Sequence, residues 1–254
     1  MFLVELVMSF HVQPRMWIAL GLGLAAAGGN VLGGLFIVRR NWSRRYLTYF
    51  LALGAGFMLA ASLIDMLPES IRLAGDPALF YVLVGYFLVH FFEHTVAPHF
   101  HFGEETHGAE MRLHRASFSA LAGLGIHTFF DGVAIASGFL VSGWLGMVIF
   151  LAIVLHKLPE GFAISSLMLA GGQSRRSALL GAVLLGAATE AGVVLTGLLP
   201  GVVSYTLPIS AGVTLYVAAS DLMPEVNREP GPWMAILVFI GVAILFVLHK
   251  LVHI

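Results

Sequence analysis

The chain has no cysteine, which excludes disulfides and thiolate metal sites. Charge is scarce as well: 13 Lys and Arg stand against 14 Asp and Glu in 254 residues, 11% of the chain beside 59% hydrophobic residues. A soluble domain carries about a quarter charged residues, so an ordinary water-soluble fold is excluded. The formal net charge of −1 provides no basic field for a polyanion, and no nucleic-acid partner is expected.

What the chain has in quantity is apolar runs. A bilayer core of about 30 Å is crossed by about 20 helical residues. Eight runs of that size are read over 17–38, 46–67, 78–97, 117–140, 143–170, 177–199, 205–223 and 232–252. They use up nearly all of the chain, so one transmembrane domain over 1–254 is expected, with the lipid bilayer as its surroundings. Met1 to Phe10 is apolar but too short to span. It lacks a basic start and a small-residue cleavage pattern, so no signal peptide is read.

The positive-inside rule orients these spans. With the N-terminus outside, the inner loops hold Arg39, Arg40, Arg44, Arg45, Arg112, Arg115, Arg175, Arg176 and Arg228, while the outer segments hold only Arg15, Arg72 and Lys250. Both termini are then outside, in a cell (cytoplasmic) membrane. The polar stretch 98–116 becomes an inner loop after the third span, carrying His99, His101, His107 and His114. Such a tract is either a linker or a metal-binding segment.

Two spans end alike. Asp65-Met66-Leu67-Pro68-Glu69 and Asp221-Leu222-Met223-Pro224-Glu225 share the pattern Asp-x-x-Pro-Glu after a patch of small residues. Five spans separate them, an odd number, so the copies point in opposite directions. Asp65 falls at the outer mouth and Asp221 at the inner one. Inverted repeats of this kind are common in transporters, where exchanging the conformations of two similar halves gives alternating access.

The ionisable residues deep in the spans are the most informative feature. The fourth span carries His127-Thr128-Phe129-Phe130-Asp131-Gly132, the fifth His156-Lys157-Leu158-Pro159-Glu160-Gly161, and the sixth Glu190. In both motifs a His precedes a carboxylate by four positions, which puts the two on one helix face. Two such helices facing each other supply two nitrogens and two oxygens, a shell suited to zinc or another borderline divalent ion. Asp131, Glu160, Glu190 and Lys157 would together cost roughly 10–14 kcal/mol if unpaired at the bilayer centre. A closed salt-bridge cluster around Lys157 would leave a third carboxylate and both histidines without a role. Pro159 removes a backbone donor between His156 and Glu160 and is expected to kink the helix there.

These motifs, in this topology, resemble the signatures of the ZIP (Zrt- and Irt-like protein) family of divalent metal transporters, over essentially the whole chain. The resemblance implies an all-α integral membrane fold, an eight-helix transmembrane bundle in a 3+2+3 arrangement with inverted-repeat outer triplets. It also implies an elevator-like mechanism and a homodimer. By resemblance His127, Asp131, His156 and Glu160 form the first metal position, with Met58 as a further ligand. Asp131 and Glu160 would be shared with a second position, where Glu190 matches the remaining acid. Thr128 and Lys157 depart from that second position, since some members have Asn at the first and Asp or Asn at the second. The Lys157 ammonium is therefore expected to replace the second metal, paired with Glu190 and the bridging carboxylates.

His90, Glu93 and His94 close the third span on the inner side, either as a relay toward His99 and His101 or as a polar helix end meeting water. The expected function is transport of a divalent metal ion into the cytoplasm, with Zn2+ favoured and Fe2+, Mn2+, Co2+ and Cd2+ compatible with the donors. No enzymatic activity is expected. An intramembrane metal-dependent hydrolase is the alternative, although the chain has no His-Glu-x-x-His motif. A transmembrane haem protein would leave the acids unexplained.

Overall fold

A computed structural model of the chain describes residues 14–39, 44–95 and 110–252, all of it helix and short connections. With no water to satisfy amides in a bilayer, a spanning segment must close its hydrogen bonds on itself, and helices do so. The eight spans are α1 (Pro14–Arg39), α2 (Arg44–Ala60, Ala61–Met66 and Leu67–Ala74), α3 (Ala78–Thr95), α4 (Glu110–Val141), α5 (Gly143–Ala170), α6 (Arg175–Leu198), α7 (Val203–Tyr216, Val217–Leu222 and Met223–Arg228) and α8 (Pro232–Val252). Each is long and apolar enough to cross a membrane.

Three boundaries differ from the sequence reading. Helix α4 begins at Glu110, so 110–116 are helical and not loop. Neither Asp-x-x-Pro-Glu motif ends its span: the helix runs on to Ala74 in α2 and to Arg228 in α7. In both, the middle segment is a π-helical turn. Leu67 N–H donates to Ser62 O in one, and Met223 N–H to Ala218 O in the other. The proline that follows explains the widening. Pro68 and Pro224 have no N–H, and a proline ring crowds the carbonyl four residues back. A wide turn ahead relieves that clash and places each proline in the first turn of a new segment, where it is tolerated. In α5 the helix continues through Pro159 without a break.

Contacts sort the helices into groups. α1, α4, α5 and α6 pack on one another, α2 pairs with α8, and α3 pairs with α7. α2 and α4 are the most enclosed spans, with 67% of their apolar windows buried against 17% for α3 and α8. The first segment of α2 touches the π turn of α7, and the first segment of α7 touches the π turn of α2. These two helices are therefore antiparallel, and Asp65 and Asp221 lie toward opposite ends of the bundle.

Glycine sets the spacing of the pairs. A Cβ on Gly33 would lie 2.1 Å from Leu158 O, and one on Gly161 1.9 Å from Asn30 O, so α1 and α5 touch backbone to backbone. Gly192 against Phe129 O (2.1 Å) and Gly132 against Thr189 O (1.8 Å) do the same for α6 and α4. The pattern recurs with Gly56 and Gly241 between α2 and α8, and with Gly212 and Gly85 between α7 and α3. Small residues permit this approach where lipid provides no hydrophobic drive.

The largest helix contacts follow one exchange, α1 for α6, α2 for α7, α3 for α8 and α4 for α5. Adding 156 to a residue number carries Gly56 to Gly212, Gly85 to Gly241 and the first π turn onto the second. Adding 29 carries Phe129 and Gly132 to Leu158 and Gly161.

Gly212→Ala is expected to lower stability by about 1–3 kcal/mol through overpacking, because its new methyl would meet Val82 O at 1.9 Å. Gly28→Ala, with nothing within 4 Å, is expected to leave the melting temperature in detergent unchanged. Equal melting of the two variants would refute this account of the helix spacing.

Candidate metal site between α4 and α5

The exchange of α4 and α5 places their two motifs face to face. His127 corresponds to His156 and Asp131 to Glu160, each pair related by the same 29 residues. All four side chains are buried, at 4%, 1%, 2% and 1% exposure. One ligand atom from each lies within 4.8 Å of the others. Nε2 of His127 and Nε2 of His156 each lie 3.4 Å from Asp131 Oδ2, and the rings are 5.6 Å apart between centroids.

Tautomer chemistry prepares one of these nitrogens. His156 Nδ1 lies 3.1 Å from the Ala152 carbonyl, which can only accept. Nδ1 therefore carries the hydrogen, and in the neutral ring Nε2 presents its lone pair toward Asp131. His156 Nε2, His127 Nδ1 and Asp131 Oδ1 have no hydrogen-bond partner. Unpaired buried polar atoms are costly, and these belong to residues whose ligand atoms gather within 4.8 Å of one another as a donor set that suits a divalent cation.

Lys157 is inside the site. It is fully buried, with Nζ 2.6 Å from Asp131 Oδ2 and 2.9 Å from Glu160 Oε2. Its ammonium joins the carboxylates of two helices. Thr128, its counterpart on α4, has its hydroxyl 2.5 Å from Glu160 Oε1 and 2.6 Å from Leu124 O. The single proton is shared between these acceptors, which hold the far oxygen of Glu160 in place.

Glu190 stands apart from this group. Its Oε2 lies against Gly23 of α1, where a Cβ would come within 2.6 Å, and it has no hydrogen-bond partner. The ion pairs of Lys157 run to Asp131 and Glu160. Met58 is fully buried on α2. It follows by one turn Gly54, whose Cβ position lies 3.8 Å from His156 Cβ.

The remaining expected residues gather at the two ends. Tyr216 donates its hydroxyl to Glu93 Oε2 at 2.9 Å and lies 3.5 Å from His90 Nδ1, and Glu93 hydrogen-bonds Asp221. His94 stacks on His90 at 4.1 Å between centroids, and its Nδ1 donates to the His90 carbonyl. At the opposite end Asp65 Oδ1 is held by His249 Nδ1 at 2.8 Å and by Trp144 Nε1 at 3.4 Å. His99, His101 and His107 lie outside the described residues, and the side chain of His114 is likewise not described.

Two polar residues escaped the sequence reading. His249 is near the C-terminal end of α8, and subtracting 156 from its number gives Glu93. The repeat register pointed to it. Asn30 is fully buried in α1 beside Gly161, with both amide atoms unpartnered. A lone amide in an apolar run was its only signal.

Eight apolar spans, two of which enclose a buried cluster of two imidazoles and two carboxylates, define a multi-pass membrane protein with an intramembrane group able to hold a divalent ion. The chain belongs to the ZIP zinc transporter family, whose family model matches residues 99–249. Among its relatives, the zinc transporter SLC39A7 of Homo sapiens is 32% identical over 149 residues, 54% of this chain and 31% of the relative. The zinc transporter ZIP13 of Homo sapiens is 32% identical over 124 residues, 44% and 33% of the two chains. The zinc transporter ZIP4 of Homo sapiens is 33% identical over 134 residues, 50% and 20% of the two chains. The matched stretch spans a third or less of each of these relatives.

Lys157→Met leaves Asp131 and Glu160 without their counter-charge, a loss of about 3–5 kcal/mol for a broken buried pair. The variant is expected to melt well below the unmodified protein in EDTA and to regain most of the difference in zinc. Identical melting of both proteins in EDTA would show that the pairing carries no such weight.

Proposed function

We propose that the protein carries a divalent metal ion, zinc in the first place, across the membrane into the cytoplasm, binding it between α4 and α5 through His127, Asp131, His156 and Glu160. The observation that carries this reading is the buried cluster of two nitrogens and two oxygens at the centre of eight apolar spans. Imidazole with carboxylate suits zinc, and the relatives named above are described as zinc transporters. The family match favours transport over an intramembrane hydrolase.

The charge balance supports one ion per passage. Asp131, Glu160 and Glu190 supply three negative charges when ionised, and one divalent ion with the Lys157 ammonium supplies three positive ones. A second divalent ion beside Lys157 would meet a like charge in a medium that screens little. Met58 lies one turn from Gly54, whose Cβ position is 3.8 Å from His156 Cβ, in keeping with a further soft ligand.

The exchange symmetry of contacts supports reading the outer triplets as inverted repeats in a 3+2+3 order, with Asp65 and Asp221 at the two mouths. The arginine distribution supports both termini outside, and hence Asp221 on the cytoplasmic side. His90 and Glu93 then line the exit.

In proteoliposomes, His156→Ala and Glu160→Ala are each expected to cut zinc uptake at least about tenfold, and the unmodified protein to bind one zinc tightly per chain. Wild-type uptake in both variants, correctly inserted, would sink the assignment, and two tightly bound ions per chain would sink the single-ion balance. The cysteine-free sequence allows a clean test of orientation. Asp76→Cys and Asn227→Cys, both exposed positions, are expected to react with an impermeant thiol reagent from outside and inside respectively. Labelling of both from one face would overturn the topology.

A further inference from the structure

We propose that Asp65 and His249 form a second, weaker divalent-cation site, at which the ion is captured at the mouth carrying Asp65 before it reaches the centre. This inference rests on the transport reading and adds to it a residue on α8 and a ligand chemistry of one imidazole nitrogen with one carboxylate.

The site is a built one. The Asp65 side chain is 4% exposed and that of His249 27%, so the carboxylate lies beneath an imidazole that still reaches the surface. Oδ1 accepts from His249 Nδ1 at 2.8 Å and lies 3.4 Å from Trp144 Nε1. The other oxygen, Oδ2, is buried with no partner at all. A carboxylate in an apolar setting with one orphaned oxygen lacks charge compensation on that side. A cation seated between Nδ1 and the carboxylate supplies it.

The rest of this mouth does not compete for the role. One turn further along α2, Glu69 is already engaged with Arg72. Trp144 offers only an N–H, a donor that binds no cation. His249 is thus the one neutral nitrogen ligand placed on Asp65 among the described residues. The nitrogen facing a carboxylate carries a hydrogen, so in a neutral ring capture of the ion moves that hydrogen to Nε2.

The register of the repeat sharpens the point. Subtracting 156 from His249 gives Glu93, and adding 156 to Asp65 gives Asp221. Glu93 and Asp221 are themselves in hydrogen-bond contact at the opposite end. The same backbone device therefore joins carboxylate to imidazole at one mouth and carboxyl to carboxyl at the other. Equivalent positions on two helix pairs thus hold side chains of different kinds, each able to ligate a metal. A mere helix strap would be served equally by apolar contact, as it is elsewhere along α2 and α8.

The test uses the full chain, with zinc as the probe. Purified His156→Ala protein in detergent has lost the central site, and equilibrium binding is expected to show one remaining weaker zinc per chain, absent from the His156→Ala/His249→Ala double variant. No residual zinc in His156→Ala, or residual zinc insensitive to His249→Ala, overturns the proposal. In proteoliposomes, His249→Ala alone is expected to raise KM for zinc about tenfold while Vmax stays within about twofold. His249→Glu copies the Asp221–Glu93 arrangement, keeps an oxygen ligand, and is expected to hold KM within about threefold of the unmodified protein. A purely structural histidine predicts the reverse: His249→Glu, which sets two carboxylates together, would be the more damaged variant, with unchanged KM in His249→Ala. Failure of the transport reading is separable, since it would show as wild-type uptake in His156→Ala whatever His249 does.

Discussion

The bond on which the rest depends is the ion pair of Lys157 with Asp131 and Glu160. An ammonium at the centre of a bilayer costs about 2.5–3.5 kcal/mol even on the lenient insertion scales. Here it is fully buried, and only the two carboxylates at 2.6 and 2.9 Å make it tenable. Those carboxylates come from different helices, so one side chain ties α4 to α5. They are also the oxygens that a divalent ion requires. A tethered cation and a free cation would therefore compete for the same charge, and with both carboxylates ionised the ammonium alone balances one of the two.

Helix packing makes that competition possible. The α1–α5 and α6–α4 pairs meet at glycine against carbonyl, which fixes the height of each motif relative to its neighbour. Gly161 directly follows Glu160, and Gly132 directly follows Asp131. The same residues that bring α1 and α6 close thus hold the two acids at one level. Site geometry and helix spacing are one constraint, and a change in either disturbs both.

Much of this was legible in the sequence, because the strongest signals there are the ones the bilayer enforces. Apolar length gave the spans, and a His four residues before a carboxylate gave the facing pairs. The Asp-x-x-Pro-Glu motif was read as a helix end because proline usually stops a helix. The π turns at Ala61–Met66 and Val217–Leu222 absorb the clash instead, and hydrogen bonding across five residues leaves no periodic mark. Lys157 was expected to pair with Glu190 and with the bridging carboxylates Asp131 and Glu160; its ion pairs run to the latter two, and the side Glu190 takes on α6 is set by packing that the sequence does not display. His249 was not read from the sequence; it lies near the end of an apolar helix, and only the register that links it to Glu93 marks it out.

The exchange symmetry has a consequence for direction. The largest helix contacts recur under the exchange, so much of the packing on one side has a counterpart on the other. The two sides differ where equivalent positions hold unlike side chains: Lys157 against Thr128 and His249 against Glu93 in the registers given above, and, with 159 carrying Gly33 to Gly192, Glu190 against Val31 and Asn30 against Thr189. Under the proposed function, any directionality of the protein would reside in these few unlike pairs laid over a nearly symmetric frame.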